Sequence, residues 1–165
     1  MEVVNEFLQP RQLKALVAAV LADSFPWEAS EILANRQLQE AHNRQLVHGF
    51  FLQKPGLHYH SPRLPLLDAV LARLQPRALL KAKLNLSPRQ ETHVEYGMHV
   101  DTRRHGATTA ILYLNTNNGY TLFEDGTRVA SVANRLVLFD AGMRHTGASC
   151  TDAGFRLVLN INMFT

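Results

Sequence analysis

Phe155-Arg156-Leu157-Val158-Leu159-Asn160-Ile161-Asn162-Met163 is the stretch that decides the fold. Side chains on a strand alternate between the two faces of a sheet. Phe155, Leu157, Leu159, Ile161 and Met163 therefore form one apolar face, and Arg156, Val158, Asn160 and Asn162 the other. An edge strand could carry this pattern with its polar side in water. In a β-sandwich braced by helices, the apolar face lies on the helices and the polar face looks inward. A guanidinium inside needs an anionic partner, because an unpaired buried charge is very costly. No acidic residue shares that face, so the pattern points to a carboxylate ligand gripped by the Arg156 fork.

The chain before this strand supplies the rest of the sandwich. Leu80, Ala82, Leu84 and Leu86 alternate with Lys81, Lys83 and Asn85, which predicts a half-buried strand. Further short strands are expected over 107–114, 120–123, 127–132 and 135–139, with Asp125-Gly126 as a hairpin turn. Before residue 79 the period is helical. Leu13, Leu16, Val17, Val20 and Leu21 make one stripe after Pro10, and Leu67, Val70, Leu71 and Leu74 make another, closed by Pro76. A strand is expected over 46–52, a helix or long loop over 27–45, and a loop at His58-Tyr59-His60. The fold class is α+β, mainly β: one domain, with 1–79 as helical support and entrance and 80–165 as the β core.

Composition bounds the function. The chain has 165 residues, 46% of them hydrophobic and 19% charged, with net charge +3. Lys and Arg are scattered, so a nucleic-acid partner is permitted but not indicated. Cys150 is the only cysteine, which excludes an intramolecular disulfide and a Cys-based zinc site. No apolar run approaches ~18 residues, so no membrane helix is expected. The N-terminus lacks a basic-then-apolar leader, and a cytoplasmic location is the expectation.

Glu95-Tyr96-Gly97-Met98-His99-Val100-Asp101 ends in His-x-Asp, which sets an imidazole beside a carboxylate. One nitrogen and one oxygen ligand suit a divalent first-row metal, and a second His would complete a two-His, one-carboxylate facial triad. His145, after the Asp140-Ala141-Gly142 turn, is the candidate third ligand, able to lie opposite His99 in a closed sandwich. His58 and His60 form another possible pair but have no carboxylate or third His at useful spacing.

With these residues in place, the segment 80–165 resembles the Fe(II)/2-oxoglutarate-dependent dioxygenases, and within them the prolyl-hydroxylase-like group. The resemblance rests on His99-Val-Asp101, Ala110-Ile-Leu-Tyr-Leu-Asn115, Gly119-Tyr-Thr-Leu-Phe123, Asn134-Arg-Leu-Val-Leu-Phe139, His145 and Phe155-Arg-Leu-Val-Leu159. It implies a double-stranded β-helix (jelly roll) with Fe(II) held by His99, Asp101 and His145. It further implies that Arg156 binds the distal carboxylate of 2-oxoglutarate, that Tyr113 helps hold the same group, and that Asn85 reaches the cosubstrate from the neighbouring strand.

The implied activity consumes O2 and 2-oxoglutarate, releases succinate and CO2, and hydroxylates a peptide or protein side chain or a small molecule. Asp101 fills the position that halogenases of this class leave for chloride. Two departures stand out. Many relatives carry an acidic residue where this chain has Tyr120, and the spacing from His145 to Arg156 is slightly long. The alternatives are a non-catalytic jelly-roll binding module and a cupin-type metalloenzyme without 2-oxoglutarate. Segments 27–60 and 102–106 are expected to frame the entrance.

Overall fold

The computed structural model describes residues 1–32 and 44–165. In chain order it contains β1 (Glu2–Val4), α1 (Pro10–Val20), β2 (Glu28–Glu31), β3 (Arg44–Lys54), β4 (Leu57–His60), a 3-10 turn (Leu64–Leu67) and α2 (Asp68–Leu74). Then follow β5 (Ala78–Pro88), β6 (Thr108–Tyr113), β7 (Tyr120–Phe123), β8 (Arg128–Ala130), β9 (Leu136–Asp140), β10 (His145–Gly147) and β11 (Phe155–Phe164). The strands form two antiparallel sheets, the double-stranded β-helix expected. The larger runs β1-β9-β6-β11-β5-β3-β2, with β4 also on β3, and the smaller runs β10-β7-β8.

The periodicities dictate how the layers pack. Pro10 opens α1, where its missing N–H is no loss, and the Gln12 side chain accepts a bond from the Gln9 backbone N–H at 3.0 Å. α2 ends at Gln75 in the left-handed region (φ 48°), with Pro76 barring continuation. Leu16 and Val20 of α1, with Leu67 and Val70, pack on Leu84, Leu112, Leu157, Leu159, Ile161 and Met163. Each such side chain contributes about 1.5–3 kcal/mol when fully buried. A second core lies between the sheets, where Ile111, Tyr113, Val137, Phe139 and Val158 meet Phe123 and Val129. β11 thus faces the helices with its apolar side and the sandwich with its polar side.

Three short strands depart from the expectation. Residues 28–31 form β2 rather than helix or loop, and His58-Tyr59-His60 belongs to β4. Together with β1 they bury almost nothing, so no alternation marks them. The rest of the expected 27–45 segment, 33–43, lies outside the described residues. The stretch ending in His-x-Asp is not a regular strand either. Glu95 and His99 make isolated bridges to Ala148 and His145. Among the described residues no helix is long and apolar enough to cross a membrane.

Candidate active site

The bridge between His99 and His145 brings the two imidazoles together. Each backbone N–H donates to the other residue's carbonyl at 2.9 Å, and the ring centroids stand 4.7 Å apart. One donor atom from each of His99, Asp101 and His145 lies within 4.8 Å of the others. Nδ1 of His99 donates to the Gly97 carbonyl at 3.1 Å, and Nδ1 of His145 to the Met143 carbonyl at 3.0 Å. A carbonyl can only accept, so both rings carry a proton on Nδ1, and Nε2 is the nitrogen left to face a metal. Gly97 sits at φ +95°, a conformation other residues rarely adopt, and this aims its carbonyl.

Asp101 is fixed from β6 and β11. Its Oδ2 accepts from Thr109 Oγ1 at 2.8 Å, Asn162 Nδ2 at 3.1 Å and Asn160 Nδ2 at 3.3 Å. Burial alone would raise its pKa, but His145, Lys81 and the Thr109 and Asn162 donors outweigh it and hold the carboxyl below its ordinary value. Burial pushes the His145 imidazole down, toward its neutral form. Phe139 braces the His145 ring edge-on at 4.7 Å. Two imidazole nitrogens and a carboxylate, each anchored by a second hydrogen bond, fit a divalent first-row metal.

These three residues line a cavity of about 410 Å³ whose opposite end holds Arg156. Arg156 is 5% exposed. Its Nε donates to Ser131 Oγ at 2.8 Å and its Nη2 to Thr121 Oγ1 at 3.2 Å. No carboxylate lies within ion-pair distance among the described residues. Burial pushes its pKa down, only partly offset by Tyr113, Tyr96 and Cys150. Gly119 makes room for it: a Cβ there would stand 2.7 Å from Arg156 Cδ and 2.9 Å from the Ala148 carbonyl.

Asn85, opposite Val158, lines the same cavity. Tyr113 does not. It is fully buried behind Arg156, with its ring 5.5 Å from the guanidinium carbon, and its hydroxyl donates to Thr121 Oγ1 at 2.7 Å. Thr121 thus accepts from both Tyr113 and Arg156, which leaves its own proton free to donate into the cavity. Tyr120 points elsewhere, its hydroxyl donating to Glu95 Oε1 at 2.8 Å. His58 and His60 are exposed on β4 and are not part of the triad.

Sequence reasoning missed Tyr96, Thr121, Lys81 and Lys83, all of which line the cavity. Tyr96 is 5% exposed, and its hydroxyl is buried without a hydrogen-bond partner among the described residues. Burial pushes its phenol up; Ser87 and Ser149 are near enough to temper that but do not meet it in hydrogen-bond geometry. The 80–86 alternation sets both lysines on one face of the strand, and the structure turns that face to the cavity.

No family model and no curated protein matches the chain. Solved structures do. A prolyl hydroxylase from Trichoplax adhaerens, in complex with a hypoxia inducible factor oxygen degradation domain peptide fragment, aligns with TM-score 0.67 at 14% identity, covering 99% of this chain and 82% of that one. A Pseudomonas putida prolyl-4-hydroxylase aligns with TM-score 0.59 at 20% identity, covering 99% and 92%. The epimerase SnoN, in complex with Fe3+, alpha-ketoglutarate and nogalamycin RO, aligns with TM-score 0.63 at 16% identity, covering 98% and 78%. At these identities the likeness establishes a shared double-stranded β-helix, and what the site does rests on its residues.

Proposed function

We propose that this chain is an Fe(II)- and 2-oxoglutarate-dependent dioxygenase that hydroxylates its substrate. One observation carries this: a buried guanidinium without a carboxylate partner among the described residues shares a cavity with a two-His, one-carboxylate cluster. Burying such a charge is very costly unless an anion completes it. A dicarboxylate would be bound at one end by Arg156 and at the other by the metal. The solved relatives that carry iron and 2-oxoglutarate, or act on prolyl peptides and small molecules, support this reading.

His99 and His145 would hold Fe(II) through Nε2 and Asp101 through a carboxylate oxygen. Bound Fe(II) supplies the oxidative chemistry, in which O2 and 2-oxoglutarate give succinate and CO2 and one oxygen atom enters a substrate C–H bond. The chain's own residues position and exclude. Arg156 and the Thr121 proton bind the distal carboxylate, and the Tyr96 hydroxyl, which has no other partner among the described residues, donates to the same anion. Tyr113 acts through Thr121 and Arg156, a positioning residue. Thr109, Asn160 and Asn162 keep Asp101 ionised and oriented. Val158 and Ile111 give the cavity apolar walls that exclude water from the cosubstrate chain.

An anaerobic optical titration tests the reading. A weak visible charge-transfer band should grow only when both Fe(II) and 2-oxoglutarate are present. Metal binding with no band at saturating 2-oxoglutarate would refute it and favour a cupin-type enzyme.

A further inference from the structure

The polar face of β5 does not look into water. Lys81, Lys83, Asn85 and Ser87 line the cavity together with Arg156, Val158 and Asn160 of β11. The register sets Lys83 opposite Asn160 and Lys81 opposite Asn162, the asparagines that hold Asp101. Both lysines therefore stand beside the metal end of the cavity. Arg156 pairs with Ser87, four residues along β5 from Lys83. That is about 13 Å at the rise of a strand, so the two cationic positions are separate.

Neither lysine makes a hydrogen bond or ion pair with a described residue. The one carboxylate among the described cavity residues is Asp101, already engaged by Thr109, Asn160 and Asn162. Burial, then the charge of Lys81, lowers the Lys83 pKa to about 8, only partly offset by Asp101.

With the cofactors in place, Arg156, Lys81, Lys83 and a divalent metal bring five positive charges. Asp101 and the 2-oxoglutarate dianion bring three negative ones. Counted over the described cavity residues, two positive charges remain, both on β5. On the same sheet face, Leu52 of β3 lies between Lys81 and Tyr59 of β4, and Gly49, opposite Lys83, adds no side chain to the floor.

We infer that Lys81 and Lys83 receive an anionic group, a phosphate or carboxylate, carried by the primary substrate. This deepens the dioxygenase reading and rests on it for the word substrate. The anion site itself does not depend on that reading. Two ammonium groups meeting one oxyanion form charge-assisted hydrogen bonds, and the anion balances the charge left over among the described cavity residues.

Calorimetric titration of inorganic phosphate, and separately of acetate, into protein saturated with Mn(II) and 2-oxoglutarate tests this. Saturable phosphate binding is expected in the wild type, at least tenfold weaker in Lys81→Met/Lys83→Met and retained in Lys83→Arg. Tighter binding of acetate than of phosphate would assign the site to a carboxylate instead. Lys83→Gln serves in place of the double variant if that fails to fold. Undiminished binding in the lysine variants, no saturable binding of either anion, or displacement of 2-oxoglutarate by the anion would overturn the inference. Should 2-oxoglutarate itself fail to bind, the dioxygenase reading falls, and the same titration without it still decides the lysine site.

Discussion

Lys83→Met should make the protein more stable. In the folded chain the Lys83 pKa is about 8 against an ordinary 10.5, because burial and Lys81 oppose its charge. At about 1.4 kcal/mol per pH unit, keeping this ammonium charged in the fold is unfavourable by about 3 kcal/mol. The folded value lies below the unfolded one, so between them the unfolded chain binds more protons and stability rises with pH. The full penalty applies below about pH 8 and vanishes above about pH 10.5. Methionine preserves the buried stem and removes the charge.

Urea unfolding should therefore show Lys83→Met ahead by up to about 3 kcal/mol at pH 7, a midpoint shift on the order of 1 M. The lead should shrink to less than about 1 kcal/mol at pH 10. Phosphate added at pH 7 should narrow it by stabilising the wild type alone. A variant no more stable than wild type at pH 7, or equally ahead at pH 10, would refute the argument. A natural chain that keeps such a residue is trading stability for a task.

Arg156→Ala should keep metal affinity and lose about 2–4 kcal/mol of 2-oxoglutarate binding, read by the optical titration; unchanged affinity would sink the Arg156 assignment. Gly119→Ala places a methyl group 2.7 Å from Arg156 Cδ and 2.8 Å from Asn117 Oδ1. It should destabilise the fold by about 1–3 kcal/mol and weaken 2-oxoglutarate, with the metal site intact, as thermal melts and titration can check. Tyr96→Phe removes a buried hydroxyl that has no partner. The protein without ligands should be as stable as wild type or slightly more so, while 2-oxoglutarate binding weakens by about 1–2 kcal/mol. Loss of stability without loss of affinity would count against a ligand-facing role.

The parts legible in the sequence are those where one face of an element is buried. The alternation of β11 carried both its apolar contact with the helices and the inward aim of Arg156. His99, Asp101 and His145 were legible because metal chemistry restricts residue type, although their meeting depends on a bridge that no periodicity announces. β1, β2 and β4 were illegible for the complementary reason: exposed on both sides, they leave no pattern. The alternation of β5 predicts a half-buried strand but not what its lysine face meets, because a lysine facing water and a lysine facing a polar cavity look alike in sequence. Tyr113 was placed near Arg156 but not behind it, since depth within a layer is set by packing alone. Tyr96 carries no local signature, and only its lack of a partner marks it.

The two carbonyls that hold the imidazoles belong to Gly97 and Met143, each two residues before its histidine. Ring orientation is therefore fixed by two short peptide segments. A site so prearranged welcomes the divalent first-row ions as a group. Intrinsic affinity for such donors rises from iron through nickel to copper. Selection of the working ion then falls to the composition of the surrounding medium, and the purified chain should carry whichever metal its host or its purification column last supplied.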